Sequence, residues 1–167
     1  METERLSSDA DLGWLLGASL RAYLSVAEEA VEAIPFGFRG YTVLAAVGRW
    51  CPGSQLELGR RLGIDKTVMT HVIDSLEERG LVARRPGPGD RRARRVELTA
   101  EGRLAWEEAS ARLSAEECRL LDGLPAGKRE ALVEALTFLA GEGGSGPQCG
   151  ELSGEAGAPC PGVFSGC

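Results

Sequence analysis

The sequence predicts a mainly α-helical chain with one small antiparallel β-wing. Two short helical patterns joined by a tight turn occupy residues 54–80. Two strand patterns flank a basic, Gly- and Pro-containing loop between residues 82 and 98, and longer helical patterns lie before and after this region. Apolar residues spaced three and four apart indicate helices, and apolar–polar alternation indicates strands.

The first long helix carries an apolar stripe from Leu12 to Ile34, and Pro35 and Gly37 end it. A second helix is predicted from about Arg39 to Trp50. Its inward positions are Tyr41, Leu44, Ala45 and Val47. The first stripe is too long to be buried on a compact neighbouring module alone, so the pattern predicts a further interface.

The two short helices carry the signals of a helix-turn-helix. Ser54 and Glu57 have capping-box spacing, Gly63 suits a left-handed helix end, and Asp65 can cap the second helix. Gly80 is expected to stop that helix. The apolar positions are Leu56, Leu58 and Leu62 in the first helix and Met69, Val72, Ile73 and Leu76 in the second.

The predicted hairpin is strongly basic. Seven arginines stand against one acid, Asp90, between Arg79 and Arg95, which gives this segment a net charge of +6. A helix-turn-helix followed by such a hairpin is a winged helix. A helix fits the DNA major groove, and arginines on a narrow hairpin reach phosphates or the adjacent minor groove.

Residues 63–102 resemble the MarR (multiple antibiotic resistance regulator) family. In that family a recognition helix runs into LE-x-x-GLV, and a wing of the form D-x-R-x-x-x-V-x-L-T-x-x-G follows. The matching wing residues here are Asp90, Arg92, Val96, Leu98, Thr99 and Gly102. The resemblance implies an obligate homodimer with interdigitating terminal helices, which binds a palindromic operator in double-stranded DNA.

The predicted DNA-binding residues lie on the second short helix and on the wing. They are Lys66, Thr67, Val68, Thr70, His71, Arg91, Arg92, Arg94 and Arg95. The resemblance implies that Arg92 enters the minor groove. The other wing arginines are candidates for non-specific contacts with DNA phosphates. The family commonly has arginine where this chain has His71, so the resemblance implies a weaker phosphate contact at that position. The alternative for each residue is a solvated surface side chain.

Residues 1–141 are predicted to form one MarR-like domain. Dimerisation helices at about 9–34 and 100–140 would flank a winged helix at about 38–99. Thr99 is the expected N-cap of a helix reaching Leu121, with a possible break near Ser114, and Pro125 is expected to begin the last helix. The apolar positions of the first of these helices are Leu104, Trp106, Ala109 and Leu113. Residues 142–167, rich in Gly, Pro and Ser, are predicted to be a disordered tail.

The net charge of −6 and the pI of about 5.0 argue weakly against a nucleic-acid binder. Residues 56–98 nevertheless carry +3, which leaves −9 for the rest of the chain. We find no signal peptide and no membrane span, so we expect a cytoplasmic protein. Its five cysteines are then expected to be reduced, with Cys51 and Cys118 as packing thiols.

A single histidine and the lack of paired carboxylates near a nucleophile argue against an enzyme, and no cofactor is expected. The spacing of Cys149, Cys160 and Cys167 is unlike that of zinc ligands. The resemblance implies a small anionic aromatic effector. Trp14, Arg21 and Arg39 are its candidate contacts, and a core role for most of the aromatic residues is the simpler alternative.

These observations predict a dimeric, sequence-specific DNA-binding transcriptional regulator, a repressor released by a small-molecule effector. One alternative is a winged-helix architectural or protein-interaction module without sequence preference. Another is a regulator that senses redox state through a cysteine.

Overall fold

The computed structural model describes residues 11–50, 54–86, 94–125 and 127–140. Within these ranges the chain forms six helices and one two-stranded antiparallel sheet. They are α1 (Leu12–Ala30), α2 (Gly37–Trp50), α3 (Gln55–Leu62), α4 (Lys66–Glu78), β1 (Val82–Pro86), β2 (Arg94–Leu98), α5 (Ala100–Leu121) and α6 (Lys128–Ala140). The predicted fold class, mainly α with a β-wing, is confirmed. None of the described helices is long and apolar enough to cross a bilayer.

Helix α2 lies at the centre of the core and contacts α1, α3, α4, α5 and β2. The largest fully buried side chains include Trp106 of α5, Leu44 of α2, Leu58 of α3, Ile73 of α4 and Val82 of β1. Burial of an apolar side chain of this size contributes about 1.5–3 kcal/mol. The winged helix and the first half of α5 therefore share one core.

The helix-turn-helix has the caps that its sequence predicts. The Glu57 backbone N–H donates to Ser54 Oγ (3.2 Å), and the Thr67 N–H donates to Asp65 Oδ1 (2.8 Å). Gly63 ends α3 in the left-handed region, with φ of 62°. Leu56, one of the three apolar positions of α3, is not covered: its side chain is 55% exposed on the open side of this short helix.

Thr99 joins the wing to α5, as its predicted N-cap role requires. Its Oγ1 accepts a hydrogen bond from the Gly102 N–H (2.9 Å) and donates to the Gly80 carbonyl (2.6 Å). A Cβ at Gly102 would lie 1.7 Å from the Leu81 carbonyl oxygen, so only glycine lets the start of α5 approach β1 this closely.

Helices α1 and α6 leave large apolar side chains uncovered in the single chain. Helix α6 has no buried residue, and Trp14 and Phe138 are 68% and 85% exposed. The other exposed apolar residues on these helices are Leu12, Leu15, Leu16, Leu20, Leu132, Leu136 and Leu139. The stripes therefore need a partner surface to be buried.

Helix α5 continues past Ser114, which is one of the two alternatives that the sequence left open. The predicted start of the last helix at Pro125 is wrong, because α6 begins at Lys128. Leu104 is 66% exposed, because it lies on the face of α5 opposite Trp106 and Ala109.

Cys118 on α5 is disulfide-bonded. Every other cysteine lies outside the described residues. The expectation of a reduced packing thiol is wrong for Cys118, since sequence spacing alone does not reveal disulfide pairing.

Candidate DNA interface

Helix α4 is amphipathic, with one apolar face and one polar face. Met69, Val72, Ile73 and Leu76 are buried. Lys66, Thr67 and His71, three of the predicted DNA-binding residues, are exposed on the outer side. Short or flexible polar side chains on one exposed helix face can reach base edges and phosphates in a major groove.

The other two predicted helix residues are half-buried. Val68 packs against the core. The Thr70 hydroxyl accepts a hydrogen bond from Gln55 Nε2 (3.0 Å) and donates to the Lys66 carbonyl (2.9 Å). Thr70 thus ties α4 to the start of α3. Gln55 was not among the predicted site residues, because the cap signal at Ser54 marks where a helix begins but not what the helix contacts.

An open groove separates α3 from α4, and Arg60 and Lys66 lie along it. Arg60 is exposed and was not among the predicted site residues. Arg60 lies in the last turn of α3, where the helix dipole favours cations. The sequence therefore indicated only that a helix ends near this arginine.

The wing strands pair in a register that sets two arginines side by side. Arg85 lies directly opposite Arg95, and Glu97 lies opposite Ala83 on the same face. Like charges in opposite positions repel, and Arg95 Nη2 donates to Glu97 Oε1 (2.9 Å), which reduces that repulsion. Arg94 opens β2 opposite Pro86. The predicted contacts Arg91 and Arg92 lie outside the described residues.

Arg84 differs from the exposed Arg85 next to it. Its side chain is only 15% exposed, and its two terminal nitrogens pair with Asp74 and Glu77 of α4. Its backbone N–H also donates to Glu77 Oε1 (3.0 Å). The backbone hydrogen bond, joined by the charge-assisted bonds from the guanidinium, lowers the pKa of the Glu77 carboxyl. Arg84 is therefore held by the protein itself.

Two of the three candidate effector contacts lie together. The Arg21 guanidinium lies 5.6 Å from the centre of the Trp14 ring, and both residues are exposed on α1. Arg39 is exposed on α2.

Four aromatic residues belong to the core or its edge instead: Trp106, Tyr41, Tyr23 and Phe38. Trp106 and Tyr41 are buried. Tyr23 packs edge-on against Phe38 (5.5 Å between ring centres), and its hydroxyl donates to Glu117 Oε1 (2.9 Å). Burial raises the pKa of both Tyr23 and Glu117, so the pair is a partly desolvated link between α1 and α5.

Comparison with known proteins agrees with this geometry. The model of the MarR family matches residues 40–93. A MarR-family transcriptional regulator from Rhodococcus sp. RHA1 is 30% identical, with a TM-score of 0.71 over 80% of this chain and 96% of that one. CouR from Rhodococcus jostii RHA1, solved with p-coumaroyl-CoA, is 31% identical, with a TM-score of 0.68 over 80% and 96% of the two chains.

A third similar protein is the MarR-family protein Rv2887 of Mycobacterium tuberculosis. Its complex with DNA is 27% identical, with a TM-score of 0.66 over 78% of this chain and 98% of that one. It has also been solved with salicylic acid (28% identity, TM-score 0.65, 80% and 99% coverage). The helix order, the wing and two relatives at or above 30% identity over most of both chains agree: this protein belongs to the MarR family of transcriptional regulators.

Proposed function

We propose that this protein is a dimeric, sequence-specific DNA-binding regulator that represses transcription and is released by a small-molecule effector. The observation that carries the proposal is the exposed polar face of α4, held beside an arginine-bearing wing. The DNA complex of Rv2887 supports it through the shared family. Residues 1–141 would form the regulatory domain, and residues 142–167 a separate tail.

In this proposal Lys66, Thr67 and His71 approach bases or phosphates from α4. Val68 and Thr70 contribute at most through the edges that remain accessible, because both are half-buried. The wing supplies Arg91, Arg92, Arg94 and Arg95, with Arg92 in the minor groove. Arg95 would exchange its partner Glu97 for a phosphate.

The uncovered stripes of α1 and α6 support a dimer. Exposed apolar patches of this extent are uncommon on soluble monomers, and burying them would stabilise a two-fold assembly. Two-fold symmetry would then set the recognition helices about 34 Å apart, one turn of DNA, on a palindromic site.

The effector proposal rests on the ligands of relatives. CouR binds p-coumaroyl-CoA and Rv2887 binds salicylic acid, both of which carry an aromatic ring and negative charge. Trp14 could stack on such a ring, while Arg21 and Arg39 offer guanidinium groups to an anion. A ligand that favours another spacing of the recognition helices would lower DNA affinity by shifting the population.

The test is binding to the intergenic region upstream of the protein's own gene, compared with random duplex at two salt concentrations. We expect a footprint on a palindrome that Arg92→Ala weakens, with affinity falling steeply as salt rises. Equal binding to both duplexes would instead support the architectural alternative. Binding that changes with dithiothreitol would support redox sensing, since Cys118 is disulfide-bonded.

The dimer is tested by light scattering on Leu16→Glu. Leu16 is 46% exposed on the α1 stripe, and a buried charge there should yield monomers. Leu56→Glu is the matched control, because Leu56 is 55% exposed on α3, away from both stripes. A Leu16→Glu protein with the mass of the wild type would contradict the proposed interface.

A further inference from the structure

The recognition helix and the wing are joined by a three-residue ion-pair cluster, which we call the clamp: Arg84 of β1 with Asp74 and Glu77 of α4. Asp74 and Glu77 are three residues apart, so they share one face of the helix. The chain turns at Gly80, where φ is 71°, and this turn brings β1 back along that face.

The geometry of the clamp suits guanidinium and no other side chain. One terminal nitrogen of Arg84 pairs with Asp74 Oδ1, and the other pairs with Glu77 Oε2. The second Glu77 oxygen accepts the Arg84 backbone N–H (3.0 Å). Because guanidinium is a planar fork with fixed donor directions, it can hold two carboxylates at a set angle, which the single charged centre of lysine cannot do.

We propose that Arg84 is a positioning residue: through Asp74 and Glu77 it sets the angle of the wing relative to the recognition helix, so that both reach one DNA site together. This inference rests on the proposed function. Two features support it. Arg84 is the least accessible of the arginines with described ion pairs, at 15% side-chain exposure, and its guanidinium is already held on two sides. Arg85 and Arg95 lie on the opposite face of the sheet.

The first test separates positioning from phosphate contact by keeping the charge. Arg84→Lys retains the positive charge, so an ordinary phosphate contact would survive largely intact. If Arg84 acts through the clamp, we expect operator affinity to fall about tenfold, which lies within the range of coupling energies for networked residues. The melting temperature, measured in parallel, shows that the variant is folded at the assay temperature. Wild-type affinity in Arg84→Lys would overturn the inference.

The second test depends on whether DNA affinity rises or falls when the two carboxylates are neutralised. The double variant Asp74→Asn/Glu77→Gln removes two negative charges beside the DNA-binding face, which by charge alone should strengthen binding to a polyanion. The clamp predicts weaker binding instead. Glu78→Gln is the matched control, since Glu78 is an exposed acid on the same helix but outside the clamp. Double-variant binding as tight as that of Glu78→Gln would overturn the inference.

A readout without DNA distinguishes failure of the clamp from failure of the proposed function. Hydrogen exchange of the Arg84 backbone amide reports directly on its bond to Glu77. We expect exchange to be faster in the double variant than in Glu78→Gln, and equal rates would refute the clamp. If the wild type does not prefer its operator, the proposed function fails, whatever the exchange result.

Discussion

Gly102→Ala is the substitution for which the structure predicts the largest effect from a single added methyl group. The new Cβ would lie 1.7 Å from the Leu81 carbonyl oxygen and 2.6 Å from its carbon. Ordinary contact begins near 3.4 Å, so β1 and α5 would have to separate by about 1.7 Å. The obstacle is backbone, which cannot rotate away as a side chain can.

The energetic cost follows from what that separation breaks. Overpacking costs about 1–3 kcal/mol where neighbours can move, and this site should lie at the upper end. The Leu81 carbonyl also accepts a hydrogen bond from the Thr99 N–H (3.1 Å), and it shares the Thr99 hydroxyl hydrogen with the Gly80 carbonyl (3.2 Å from the Leu81 oxygen). Weakening these bonds costs about 1 kcal/mol, which the better helix propensity of alanine offsets. We therefore expect a net destabilisation of about 3 kcal/mol.

Differential scanning calorimetry measures the result. A loss of about 3 kcal/mol corresponds to a melting temperature lower by about 6–12 °C for a chain of this size. Gly123→Ala is the matched control, because nothing lies within 4 Å of its Cβ position, and its effect should stay within about 0.5 kcal/mol. If the two variants melt at the same temperature, the close approach at Gly102 does not constrain the protein.

Three further predictions concern the same module. Thr99→Ala should cost about 1–2 kcal/mol in urea unfolding, because it removes the cap that accepts the Gly102 N–H. The Glu77 pKa is lowered in the folded state, so its carboxylate stabilises the protein above the ordinary glutamate pKa of about 4.3, and this stability is lost as the pH falls through the lower folded value. The unfolding free energies of Glu77→Gln and wild type should therefore differ at pH 7 and converge in acid, and a constant difference would contradict this reasoning. Lys66→Gln should reduce the slope of log affinity against log salt by about one, whereas Lys128→Gln on α6 should leave the slope unchanged.

Local signals in the sequence were enough to predict the helix-turn-helix and its caps. Ser54, Gly63 and Asp65 each act within a few residues along the chain, so their roles can be read from spacing. The same holds for Thr99, whose cap closes on the third residue after it. The alternation of Val96 and Leu98 likewise placed β2.

Contacts between elements could not be predicted in this way. The bond from Gln55 to Thr70 and the clamp around Arg84 cross a turn, and neither has a periodic signature. The number of arginines between residues 79 and 95 therefore overstates the charge available to DNA, because the Arg84 guanidinium is held by α4.

Most helices and both strands could be predicted from the amino-acid sequence, because capping, turn and periodicity signals are short-range interactions. The wing string around Arg92 also indicated the family. Which apolar positions are covered became clear only from the packing of the elements. Leu56 and Leu104 match helical stripes as well as Leu58 does, yet they are 55% and 66% exposed, while Leu58 is fully buried. Burial depends on whether another element packs against that face, and the spacing of residues along one helix carries no information about that.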